Sequence, residues 1–314
     1  MFEFWKSKKN SKPDVQQLNR DVAFANEYHS LVFKSGEGDI PVLEIKNDLA
    51  KATISMQGAH VLSWVPVTED DVIWLSDQAS FAEAKSVRGG IPICWPWFGA
   101  HENNSTFPAH GFARTVYWQI KSTAVLPSGE TQVTFLLDTR QLDKSHHAMW
   151  PLPTTLEYCL TIGKSLSMEL TTFNHSKQVM TIGQALHTYF SVADVSATSV
   201  TGLEDRDYLD KTDGFKRKTQ SGPVTISAEV DRVYLGTADD VVIDDGKRKI
   251  IIRKQGSHST VVWNPWVEVA NKMGDLGVDG YLKMLCVESA NAADDVVSIS
   301  PGESYRLLVS YEIE

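Results

Sequence analysis

At 314 residues the chain can bury a full core without disulfide or metal staples, as one large β domain or two smaller ones. Its 42% apolar and 22% charged residues are close to globular averages, which excludes wholesale disorder. Thirty basic against 40 acidic residues leave a net charge of −10, which repels nucleic acid and anionic lipid, so an anionic ligand would need a local basic pocket. Three cysteines, Cys94, Cys159 and Cys286, form no CxxC pair and leave an odd count, against both a zinc ribbon and a disulfide framework. No apolar run reaches the 18 residues of a membrane helix, and MFEFWKSKKNSKPD carries no apolar stretch of signal-peptide length. The expected location is the cytoplasm, with neither a membrane nor a nucleic-acid partner.

Residues 1–20 read as a polar tail and 21–314 as a single domain. Short apolar stretches then alternate with turn signals. Strands are expected at 42–45, 51–56, 60–65 and 72–75. Helical turns are expected at 81–85 and 138–144. At 132–137 and again at 154–162 the apolar residues recur every second position, Leu156, Tyr158, Leu160 and Ile162 sharing one face. Gly163-Lys164 reads as a hairpin turn, after which the period of two resumes at 165–173. Further strands are expected at 179–182, 187–192, 224–228, 232–234, 249–253, 259–263, 284–289 and 306–311, with Asp245-Gly246 a favoured hairpin dipeptide. No βαβ alternation appears. The fold class that fits is all-β, a large antiparallel β-sandwich with few short helices.

Several chemistries lack their signature. There is no GxxxxGK[ST], HExxH or GxSxG, and Gly36-Glu37-Gly38 lacks the third glycine of a dinucleotide fingerprint. What stands out is Arg88-Gly89-Gly90-Ile91-Pro92-Ile93-Cys94-Trp95-Pro96-Trp97-Phe98-Gly99, whose glycines and prolines forbid a regular helix or central strand. Its aromatic residues Trp95, Trp97 and Phe98 either form a sugar platform or cap a sandwich edge. Pro108-Ala109-His110-Gly111-Phe112-Ala113-Arg114 follows. Arg88 and Arg114 both adjoin glycine-bearing backbone; such forks suit a phosphate, or each ties to a carboxylate. Two titratable residues lie inside apolar strands, His187 in ALHTYF and Glu288 in LCVESAN. A carboxylate among Leu, Cys and Val implies a cleft or a partner.

Taken together, RGGIPICWPWFG, PAHGFAR, LHTYFSVAD, VVWNPW and CVESAN, in this order, resemble the hexose-6-phosphate mutarotases, or glucose-6-phosphate 1-epimerases, of the aldose-1-epimerase superfamily. The resemblance spans about Gln57 to the C-terminus. It implies a supersandwich of the galactose-mutarotase type, no metal and no cofactor, and interconversion of the α and β anomers of a hexose 6-phosphate. It also implies His187 as general acid, Glu288 as general base, and Arg88 and Arg114 as phosphate ligands. Asp231, in Asp231-Arg232-Val233-Tyr234, is the matching residue for sugar hydroxyls. Some relatives carry Gln where this chain has Ala109, so His110 becomes the candidate sugar contact there; Trp97 is the candidate aromatic contact.

The chemistry agrees with that assignment. Mutarotation needs one proton taken from the anomeric O1 hydroxyl and one given to ring O5, and general acid–base catalysis of this kind contributes roughly 10²–10⁴-fold. A glutamate is ionised at neutral pH, whereas an imidazole with a reference value near ~6.5 must be held protonated, which nearby carboxylates such as Glu288 or Asp231 would do. A bell-shaped pH–rate profile is therefore expected. The competing readings are an epimerase of unphosphorylated aldoses and a non-catalytic sugar-phosphate-binding module. The arginine pair speaks against the first and retention of both His187 and Glu288 against the second. A monomer is expected, since no exposed apolar seam is evident.

Overall fold

The computed structural model describes residues 10–314. Of the expected polar tail, residues 1–9 lie outside the described residues. Val15–Asp21 forms a short helix because the Asp14 carboxylate caps it, accepting from the Gln16 and Gln17 N–H groups. Val15 and Leu18 then pack onto the core.

The hairpin Thr154–Ile162 and Leu166–Asn174 shows how the pattern becomes structure. Burial alternates along both strands, and Leu156, Tyr158, Leu160, Met168 and Leu170 are fully enclosed. Each such side chain contributes roughly 1.5–3 kcal/mol when removed from water. Thr131–Asp138 pairs on one side of the hairpin and Ser304–Ile313 on the other. These strands form the middle of a nine-stranded sheet that runs from Val224–Thr225 at one edge to Gln119–Val125 at the other. A five-stranded meander from Phe24–Ala25 to His60–Pro66 precedes it.

The sheet that positions the site has eight strands. Its order is Lys216–Thr219, Asp207–Asp210, Val230–Leu235, Ser259–Asn264, Met284–Asn291, Gln184–Leu186 and Ile93–Cys94, with Tyr189–Ser191 also paired to Met284–Asn291. All strand pairings among the described residues are antiparallel. Every residue of Met284–Asn291 is buried, because both faces of this strand are covered. Leu285 and Val287 join the main core, where Phe190 meets the Tyr311 ring at 4.8 Å. Cys286 and Glu288 point to the other face. There the cover is the irregular chain around residues 86–114 and the helix Trp266–Met273, in clusters that include Trp74, Tyr189 and Cys286 or Cys94, Val261 and Ala290.

Several local expectations change: the strand expected at 187–192 narrows to Tyr189–Ser191, and that at 224–228 to Val224–Thr225. Residues 72–75 make single bridges only, Ile73 to Phe190 and Leu75 to Gly89, since their backbone serves two loops rather than one neighbouring strand. Residues 81–85 form turns, not a helix. Asp138–Lys144 divides into a 3₁₀ turn at Thr139–Gln141 and the start of the helix Lys144–Met149, each capped by an aspartate, Asp138 and Asp143. Among the described residues no helix is long and apolar enough to cross a membrane.

Candidate active site

Two glycine-dependent turns bring the site together. Gly90 lies at φ +72°, and a Cβ there would run into the His60 ring and the Val61 carbonyl. His60 Nε2 lies 2.9 Å from the Gly89 carbonyl oxygen and donates to it, so the buried ring buttresses the turn that presents Arg88. Burial pushes His60 down to about 4, which keeps it neutral. Gly111 lies at φ +69°, and a Cβ would overlap the Trp95 carbonyl. The Phe112 N–H donates to that same carbonyl at 3.0 Å, and the His110 N–H donates to the Gly99 oxygen at 2.7 Å. His110 itself has φ +64°, in the left-handed region that few residues other than glycine adopt. The Gly99 N–H donates to its Nδ1 at 3.3 Å, leaving Nε2 as the protonated nitrogen.

His187 stands in the break between Gln184–Leu186 and Tyr189–Ser191, where its own N–H donates to the Pro92 oxygen at 3.1 Å. Glu288 is opposite Val261 in the strand register, one row along from Cys286, Trp263 and Asp231. His187, Asp231, Trp263 and Glu288 line one cavity of about 290 Å³, at the small end of ligand pockets of roughly 300–1,000 Å³. His187 Nε2 and Glu288 Oε1 are 3.3 Å apart. His187 Nδ1 and Glu288 Oε2 are buried and have no partner, so the pair keeps one unused polar atom on each member.

Three cations line the same cavity. Arg88 donates through Nε to Asp275 Oδ1 at 3.0 Å and through Nη1 to the Tyr189 hydroxyl at 2.9 Å. Arg114 donates through Nη2 to the Ala109 carbonyl at 2.9 Å, and no carboxylate pairs with it among the described residues. Lys211 Nζ is 3.0 Å from Asp231 Oδ1 and lies 5.8 Å from the centre of the Phe98 ring.

Burial dominates the electrostatics. It pushes His187 well below the ordinary imidazole value, and the Arg114 and Arg88 guanidinium groups add to that push. It pushes Glu288 well above the ordinary carboxyl value, against Lys211 and Arg114 and with the help of Asp231. Both directions favour the uncharged forms, a carboxylic acid beside a neutral imidazole. This corrects the expectation that carboxylates hold His187 protonated: desolvation outweighs them, and the nearby arginines act the same way. Burial also takes His110 down to about 3 and Cys94 up to about 12, so neither ring nor thiol is charged.

Of the residues singled out from sequence, Arg88, His110, Arg114, His187, Asp231 and Glu288 come together in this cavity. Trp97 does not line it. Its indole N–H donates to the Pro108 oxygen at 3.0 Å, and its ring stacks on Phe107 and meets His101 edge-on, so it braces the loop between the two glycine turns. Trp95 is fully buried against Phe112 and Trp150. The aromatic side chains on the cavity wall are Phe98, Tyr189 and Trp263. Sequence reading passed over Lys211 and Asp275. Lys211 stands in an unremarkable charged stretch, and Asp275 follows Gly274 at the end of a helix with only two turns of pattern. Tyr189 and Trp263 fall within the quoted LHTYF and VVWNPW segments, which is the signal that could have found them. Among the described residues, no group of three or more His, Cys, Asp or Glu side chains is arranged to hold a metal ion.

The sequence profile described as aldose 1-epimerase matches residues 41–312. The chain belongs to the aldose 1-epimerase family. Within the family it is 37% identical over 259 residues to an Escherichia coli protein named "Putative glucose-6-phosphate 1-epimerase", covering 82% of this chain and 85% of that one. A protein of the same name from Cenchrus ciliaris is 35% identical over 268 residues, covering 81% and 79%. Among solved structures, a Salmonella typhimurium protein described as a "putative mutarotase" superposes with a TM-score of 0.83 at 30% identity, covering 95% of this chain and 98% of that one. The aldose 1-epimerase profile begins upstream of the quoted motifs, within the first meander.

Proposed function

We propose that this chain is a hexose-6-phosphate mutarotase that interconverts the α and β anomers of glucose 6-phosphate. The observation that carries this reading is the buried His187–Glu288 pair, 3.3 Å apart, in a cavity that also holds Arg88 and Arg114. The relatives named as glucose-6-phosphate 1-epimerases point the same way.

In this mechanism Glu288 removes the proton from O1 as His187 delivers one to ring O5, and the C1–O5 bond breaks to give the open aldehyde. C1 turns about the C1–C2 bond. Closure then returns the proton from Glu288 to the new O1 and the O5 proton to His187. The reaction consumes nothing and needs no cofactor. A dianionic phosphate against Arg88 and Arg114 cancels two of the positive charges that press His187 toward its neutral form. Substrate binding thereby moves the pair's single proton toward His187, where the reaction requires it. A free hexose offers no anion to the guanidinium N–H groups left over by Asp275, Tyr189 and Ala109, and charge-assisted hydrogen bonds contribute roughly 1.5–3 kcal/mol each. Phosphate thus acts on the rate as well as on binding.

The same reading takes residues 21–314 as one domain, since one buried cluster draws side chains from all three large sheets. It takes the protein as a cytoplasmic monomer with a small-molecule substrate, and the net charge of −10 disfavours nucleic acid. Polarimetry of freshly dissolved α-glucose 6-phosphate, with α-glucose in parallel, tests the proposal. Relaxation accelerated for the phosphate ester and hardly for glucose is expected. Equal acceleration of both would make the chain a free-aldose epimerase, and saturable binding without acceleration would make it a binding module.

A further inference from the structure

Lys211 was assigned no role by sequence, yet it is one of three cations in the cavity. Its place is built rather than incidental. It follows Asp210, a buried carboxylate that caps the turn by accepting from the Thr212 N–H at 3.1 Å and the Thr212 hydroxyl at 2.6 Å. Asp210 also pairs with Lys218 at 2.7 Å, and its carbonyl receives the Phe215 N–H at 2.8 Å. The turn therefore leaves the sheet at a fixed point and aims Lys211 at Asp231 on the neighbouring strand. Among the described residues, that ion pair uses one of the three ammonium hydrogens, and no other hydrogen bond occupies the Lys211 or Asp231 side chain.

We propose that Lys211 is a positioning residue of this site, whose tethered ammonium supplies the positive potential that lets Glu288 work as a base and offers its remaining N–H groups to the sugar. This rests on the mutarotase reading above. Arg88, Arg114 and Lys211 share one cavity with the pair, and among the charges that favour the Glu288 carboxylate Lys211 comes first and Arg114 second. Phosphate bound to the arginines removes their influence from both members of the pair. His187 gains from that, because it can then accept the proton. Glu288 loses, because Arg114 no longer favours its charged form. Lys211 is the cation left to favour the carboxylate, opposed by Asp231. His110 is held neutral, and the Cys286 thiol on the same strand is pushed well above its ordinary value, so neither competes. A phosphate beside Lys211 would instead face the Asp231 carboxylate.

The test compares the full chain with Lys211→Met, Lys211→Arg and Asp231→Asn, reading anomer-exchange kcat and KM for glucose 6-phosphate from pH 4 to 10. Lys211→Met is expected to lower kcat about tenfold near neutrality and to move the alkaline limb of the profile up by about one unit. Lys211→Arg returns the limb to its wild-type position, and Asp231→Asn moves it down, the opposite sign. Limbs that stay in place in all three variants overturn the proposal. So does a Lys211→Met variant that leaves kcat and both limbs in place and raises KM for glucose 6-phosphate but not for glucose, which would make Lys211 a phosphate ligand. If Lys211→Met does not fold, the other two variants still carry the sign test. If the wild-type chain exchanges nothing, the mutarotase reading fails separately, and NMR titration of the ¹³C-labelled Glu288 carboxyl in the same variants still reads the influence of Lys211.

Discussion

His187 and Glu288 are both enclosed, and burial favours the uncharged form of each, a state in which the pair shares one titratable proton. It gains a second as pH falls through the depressed His187 value and loses its only one as pH rises through the elevated Glu288 value. The rate on glucose, which has no phosphate titration of its own, should therefore hold a plateau across pH 6.5–7.5, with an acid limb below the ordinary imidazole value. A rate that instead collapsed above pH 6.5 would show a His187 of ordinary acidity acting as the acid. Glu288→Gln and His187→Asn should each lower exchange by roughly 10²–10⁴-fold, with circular dichroism unchanged. Loss of less than fivefold in both would remove the pair from the mechanism. Arg88→Ala should raise KM for glucose 6-phosphate by about 10²-fold and leave KM for glucose nearly untouched. Equal effects on the two would confine Arg88 to its tie with Asp275 and Tyr189.

Elements differ in how much of them the sequence discloses. Thr154–Ile162 was legible to the residue, because one face is buried and the other is not, and alternation records that asymmetry. Met284–Asn291 carries no alternation, and Glu288 was found as the charged exception in an apolar run. The helix Trp266–Met273 left too little periodicity to see, having eight residues and a Pro265 start. Trp95 and Trp97 were weighed as platforms because an aromatic loop has no period that separates a wall from a brace; Phe98, beside them, is the one on the cavity. Lys211 and Asp231 are 20 positions apart, and only the pairing of Asp207–Asp210 with Val230–Leu235 brings them together. The turn at Gly89-Gly90 depends on neutral His60, which sets an acid limit on the element. A group depressed on folding contributes stability that is present above its unfolded value and lost as pH falls through its folded value. For His60 that window runs from about 6.5 to about 4 and is worth about 3 kcal/mol. Urea midpoints at pH 7.5 and pH 4.5 should differ less for His60→Gln than for the wild type. An unchanged difference would show that His60 is not the titrating group.

The whole molecule carries −10 while its cavity holds three cations, so the long-range field repels the dianion that the local field attracts. Salt screens both. Raising ionic strength from about 20 to about 200 mM should therefore change kcat/KM for glucose 6-phosphate by less than about threefold. A tenfold fall would mean that the cavity steers its substrate. The sandwich class was legible from the spacing of many short strands. The division into five-, nine- and eight-stranded sheets was not, since strands such as Ser304–Ile313 and Lys249–Gln255 pair across some fifty intervening residues. That long-range pairing places the acid, the base and the cations in one cavity, and its consequence is directly measurable. In magnetisation-transfer NMR of equilibrated glucose 6-phosphate, saturation of the α-anomeric proton should pass to the β signal with the wild-type chain and not with Glu288→Gln. Transfer that survives the substitution, or is missing with the wild type, would contradict the account.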